Sequence, residues 1–286
     1  MSIRVHRGTV SVIVAAGVAF ATLAAVRPSA QGAGLHAPFG EILDVYVRDG
    51  QVYYRALQME RAKLDRYIAS LNVPVATYEG WPTSDQMAFW MNAYNAFVLR
   101  TVIDHYPIKG VASEYPSTSI RQIPGAFDRR EHRAAGRVVT LDAIETTILS
   151  AFGDPRVFLA LGRGAVGSPR LRSEALSGAR LEDQLASSVE EFAARARLID
   201  IDEVANLIRV TPLVSWRDAE FAALADGPAG PGDRYATRSP IERAVLRLIE
   251  PHLLPIERSM VERNDFTLTF GTFDWRLNDL TGGRID

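Results

Sequence analysis

The chain has 286 residues, 47% hydrophobic and 23% charged, the make-up of an ordinary globular protein with length enough for one large core. A formal net charge of -2 gives no basic field for nucleic acid or anionic membrane surfaces. The absence of cysteine excludes disulfides, thiolate nucleophiles, iron-sulfur clusters and cysteine-containing zinc sites.

At the start, Arg4 and Arg7 precede the uncharged residues 10–26, which Arg27, Pro28, Ser29 and Ala30 follow. That is the layout of a secretory signal peptide, so residues 1–30 are expected to be removed and the protein to be exported, periplasmic or secreted. An uncleaved anchor is the alternative, because about 17 apolar residues is the lower limit for a helical span. No other stretch is expected to span a membrane once the signal is cleaved.

Phe39, Ile42, Leu43, Tyr46 and Val47 recur at helical spacing from Pro38, which predicts a short amphipathic helix. Asp49-Gly50 turns the chain into a brief strand at Val52-Tyr53-Tyr54, and a second helix carries Leu57, Leu64, Tyr67, Ile68 and Leu71. From Thr83, with Gln86 at capping-box spacing, a helix apolar on nearly every face runs to His105 before Pro107 ends it. An irregular stretch 108–125, a hairpin turning at Ala135-Gly136 and a helix capped by Thr140 follow. Residues 156–161 read as a strand entering the glycine-rich stretch 162–167, and 181–196 as an amphipathic helix. Residues 207–210 and 266–270 read as strands, 225–238 as an exposed loop, and Ser239, Pro240 and Glu242 as a helix start. One α+β domain over 38–286 is expected, with a central buried helix, several amphipathic helices and a small antiparallel sheet.

Phe89-Trp90-Met91-Asn92-Ala93-Tyr94-Asn95-Ala96 resembles the signature helix of exported bacterial members of the domain-of-unknown-function 547 family. Leu141-Asp142-Ala143-Ile144-Glu145, the segment 155–172 and Phe273-Asp274-Trp275-Arg276-Leu277-Asn278 are similar to its later motifs, in the same order. The family carries no settled activity; the resemblance implies a papain-like thiol hydrolase for some members. It also implies a Ser-Cys-Pro where this chain has Gly167-Ser168-Pro169, and a second Cys at Arg163. His is implied at Thr146 and at Phe158. On that pattern the Cys/His set is degenerate here.

The formal Gly-x-Gly-x-x-Gly of residues 162–167 lacks the helix that a nucleotide site requires, since Pro169 bars Ser168 from helical geometry, and it reads as a glycine-rich turn. Asn92 and Asn95 on the buried helix either tie loop backbones to it or floor a pocket with Tyr94 and Glu145. Glu145 is a candidate general base if burial raises its pKa, and otherwise a helix-surface carboxylate. Ser168 is a candidate nucleophile only with a base beside it; His105 or His132 would have to reach it through the fold. The histidines at 36, 105, 132 and 252 have no paired spacing, so no metal or cofactor is expected. The leading expectation is a non-catalytic envelope protein that binds a small ligand or an envelope partner. Asn92, Tyr94, Asn95, Glu145, Arg163 and Ser168 are its candidate residues. The alternative is a hydrolase or acyl-transfer enzyme of papain-like type with Ser168 in place of a family cysteine.

Overall fold

The computed structural model describes residues 31–225 and 234–282, so the signal segment and most of the 225–238 loop lie outside the described residues. The first helix, α1 (Gln31–Tyr46), begins before Pro38 and runs through it, giving up one backbone bond where proline has no N–H. Strands β1 (Val47–Arg48) and β2 (Gln51–Val52) form a hairpin. Its turn residues Asp49 (φ 47) and Gly50 (φ 80) are both left-handed, the geometry that matches strand twist. The second helix is split at Glu60-Arg61 into α2 (Tyr54–Met59) and α3 (Ala62–Ser70), followed by the short α4 (Val75–Glu79).

Helix α5 (Thr83–Ile103) is the centre of the molecule, with Phe89, Trp90, Met91, Tyr94, Ala96 and Phe97 fully buried. It starts differently from the sequence expectation. Pro82 occupies the N-cap, and the Gln86 side chain reaches back to the Trp81 carbonyl, so no capping box forms. Helices α1, α2 and α3 pack around it. Burying each large side chain contributes roughly 1.5–3 kcal/mol, which makes this helix the main source of core stability.

After a long irregular stretch come the hairpin β3 (His132–Ala134) and β4 (Arg137–Val139), turning at Ala135-Gly136, and α6 (Leu141–Ala143), capped by the Thr140 side chain. Helix α6 continues as a π-helical turn over Ile144–Leu149. Residues 156–161 are not a strand. Asp154 caps a 3-10 helix at Pro155–Ala160, the side chain accepting from the Arg156 amide with proline at the first position. Helix α7 (Leu181–Ala194) leads to β5 (Ile199–Asp202) and β6 (Leu207–Val210), and then to α8 (Pro212–Ser215) and α9 (Asp218–Ala223). Helix α10 (Pro240–Ile249) opens with the expected capping box of Ser239 and Glu242. After α11 (Pro255–Arg263), strand β7 (Thr267–Phe270) pairs parallel with β6, completing the order β5-β6-β7. The class is α+β, with mainly helical packing and three small sheets.

The tail after β7 returns to the start of the chain. Val166 and Gly167 donate backbone bonds to Arg276 and Asp274, and Val52 donates to Asn278 and accepts from Leu280. A side chain at Gly167 would meet the Asp274 amide at 2.7 Å, so this close approach requires glycine.

Candidate functional site

Asn92 and Asn95 face loop backbone. The Asn92 amide donates to the Leu176 carbonyl at 2.8 Å and accepts from the Leu176 N–H at 2.9 Å. Asn95 accepts from the Gly162 N–H at 2.8 Å and donates to the Ala160 carbonyl at 3.4 Å. Both amides are buried, and these backbone bonds occupy them. They fix the 160–177 segment onto α5.

Glu145 is buried in the π-helical turn, facing α5. One carboxylate oxygen accepts from the Tyr94 hydroxyl at 3.0 Å. The other accepts from Arg163 at 2.7 Å and from Arg217 at 2.9 Å. Arg163 is itself buried and leans on the carbonyls of Phe158 and Leu161, while the Arg217 guanidinium lies 4.8 Å over the Phe158 ring. Burial alone would push the Glu145 carboxyl up, and the two arginines outweigh it, pulling it down to about 2. Burial, then the Glu145 charge, holds the Tyr94 hydroxyl well above its ordinary value. Glu145 is therefore an ionised acceptor at neutral pH rather than a base poised near neutrality.

Beside this network lies a cavity of about 200 Å³, lined among others by Arg121, Asp142, Thr146, Trp216 and Trp275. Trp216 is 45% exposed at its mouth and stacks on Trp275, with Phe273 tilted against both. Thr211 caps α8, and this fixes Trp216 and Arg217 at the α8–α9 junction. Of the four positions at which the family resemblance implies Cys or His, Arg163 bonds Glu145, Thr146 follows it in the chain, and Phe158 lies under the Arg217 guanidinium. Thr146 and Arg163 line the cavity itself.

Ser168 stands apart from the cavity. Its hydroxyl accepts from the Arg163 backbone N–H at 3.0 Å, and it borders a separate crevice of about 20 Å³, room for a single water. No imidazole or carboxylate hydrogen-bonds it among the described residues. His36 bonds Tyr67, His105 bonds Arg130 and the Thr101 carbonyl, and His132 stacks on Phe97. The structure thus joins Tyr94, Glu145 and Arg163 in one network, links Ser168 to it only through backbone, and assigns Asn92 and Asn95 to loop anchoring.

Residues 78–193 match the family described as Protein of unknown function, DUF547. The match supports the family resemblance over less than half of the chain. No curated protein and no solved structure matches the chain. The DUF547 segment supplies Arg121, Asp142, Glu145 and Arg163. Trp216, Arg217 and Trp275 come from beyond it, so part of the cavity wall is built outside the matched region.

Arg121, Asp142, Trp216 and Arg217 were not among the residues expected from sequence. Arg121 follows an irregular stretch without a pattern. The one signal for Trp216-Arg217 is the Thr211-Pro212 cap just before them, which marks a helix start and no site.

Proposed function

We propose that this is an exported, non-catalytic domain that binds a small ligand in the cavity beside Glu145. The observation that carries the reading is an aromatic-walled cavity set on a buried, fully satisfied Tyr94-Glu145-Arg163-Arg217 network. Buried ion pairs seldom add net stability, so a site whose charges must be held in place accounts better for this one. A larger cleft of about 650 Å³ lies between the 106–118 loop and the tail, but Tyr106 pairs with Asp279 and Arg276 with Asp274 there.

Ser168 favours binding over hydrolysis. A serine needs an adjacent base, and among the described residues no imidazole or carboxylate hydrogen-bonds the Ser168 hydroxyl, whose oxygen accepts from the Arg163 backbone N–H. Export rests on Arg4, Arg7 and the uncharged run 10–26.

Native mass spectrometry of protein recovered from an envelope fraction tests both parts. The expected result is a chain shortened by residues 1–30 carrying an added small mass, which the Trp275→Ala variant loses. A full-length cytoplasmic chain counts against export. Stoichiometric labelling of Ser168 by a fluorophosphonate, abolished in Ser168→Ala, overturns the binding reading in favour of the hydrolase.

A further inference from the structure

Among the described residues, two charged groups that line this cavity make no side-chain hydrogen bond or ion pair with the protein. The Arg121 guanidinium lies against the rings of both Phe127 and Trp275, 4.5 and 4.4 Å from their centroids, and the residue is exposed. Among the described residues it makes no hydrogen bond or ion pair, so its planar fork is fixed by aromatic contact with its donors unused. The Asp142 carboxylate, half-buried and three positions before Glu145, accepts no hydrogen bond either. Burial, ahead of the neighbouring charges, pushes its carboxyl up. The remaining charges are engaged: Glu145 takes Arg163 and Arg217, and Arg217 also reaches Glu220 at 3.5 Å.

Arg121 and Asp142 line one cavity without forming an ion pair with each other. An anion alone would satisfy Arg121 and face the Asp142 carboxylate. A cation alone would satisfy Asp142 and face Arg121. A ligand carrying both charges close together meets neither penalty. The fork of Arg121 matches a planar carboxylate, and a half-buried carboxylate suits an ammonium. About 200 Å³ is smaller than the roughly 300–1,000 Å³ of pockets for larger small molecules, which limits the ligand to a few heavy atoms beyond its charged groups. Trp216 and Trp275 offer apolar surface to those atoms.

We propose that the cavity binds a free α-amino acid, with its carboxylate on Arg121, its ammonium on Asp142 and its side chain along Trp216 and Trp275. This rests on the small-ligand reading above and names the ligand class.

Titration of the full mature protein by tryptophan fluorescence is the test, because Trp81 and Trp90 are buried while Trp216 and Trp275 border the cavity. The probes are the standard free amino acids, each with its N-acetyl and amide derivatives. At least one free amino acid is expected to change the signal saturably, and blocking either its amine or its carboxylate should weaken binding about tenfold or more. Arg121→Gln and Asp142→Asn should each reproduce that loss while melting at the temperature of the unaltered protein. Equal binding of an amino acid and its N-acetyl derivative overturns the assignment of Asp142. No response to any free amino acid overturns the proposal. If the native protein nevertheless carries a small mass lost in Trp275→Ala, the general binding reading survives that failure.

Discussion

Glu145 keeps a charge in a largely buried place, and its stability depends on its partners. Glu145→Gln leaves Arg163 buried beside a neutral amide and is expected to cost about 3–5 kcal/mol in urea unfolding. The paired change Glu145→Met with Arg163→Met should cost clearly less than Glu145→Gln, because no buried charge is stranded. Acid should act in two windows. His36 is buried and His132 half-buried; burial, joined at His132 by the Arg130 and Arg100 charges, pushes each from 6.5 down to about 4. The unfolded chain therefore takes up protons that the folded one refuses, and stability falls as pH drops from about 6.5 to about 4. Glu145, ordinarily near 4.5, stays ionised in the fold to about 2, so its contribution is intact above 4.5 and lost between about 4.5 and about 2. Urea melts across pH check this: the His36→Gln/His132→Gln double variant should flatten the upper window and leave the lower one. At this scale the sequence reveals that Asn92 and Asn95 are buried amides needing partners. It does not reveal that Arg121 and Asp142 line one cavity, because a cavity joining residues from separate elements leaves no spacing to read.

Helix α5 and the 160–177 segment are bound mainly by side-chain-to-backbone bonds, since that segment has no strand ladder of its own. Asn92→Ala removes both bonds to Leu176 and should cost about 1–3 kcal/mol, measured by urea unfolding, with fluorescence titration of the cavity unchanged. Lost binding at unaltered stability would place Asn92 in the site instead. The elements readable from sequence are those with local rules: the all-round apolar pattern of α5, the Asp49-Gly50 and Ala135-Gly136 turns, and the Ser239 capping box. Residues 156–161 misled because an apolar run in a buried place has no period of its own; the Asp154-Pro155 start signal, which favours a helical turn, decides it. The π-helical turn at Ile144–Leu149 has no sequence mark, yet Glu145 sits within it, one residue past its start.

At the scale of the whole molecule, no group of acidic, histidine or cysteine side chains suited to a metal ion occurs among the described residues, and none of their helices is long and apolar enough to cross a membrane. Melting with and without EDTA is expected to give the same midpoint; a fall of many degrees would reveal a structural ion. The tail that returns from β7 has a further consequence, which concerns time rather than energy. Asn278 accepts from the Tyr54 hydroxyl and donates to the Gly50 carbonyl, bonds spanning 224 and 228 positions of sequence. The β1–β2 hairpin and α2 are synthesised more than 200 residues before the strip that latches them. A nascent chain must therefore hold its opening helices without their final partner until residues 271–282 arrive, at a closure entropy that grows with the loop. A chain stopped at Phe270 should remain expanded and protease-sensitive, even though the whole DUF547 segment is present in it.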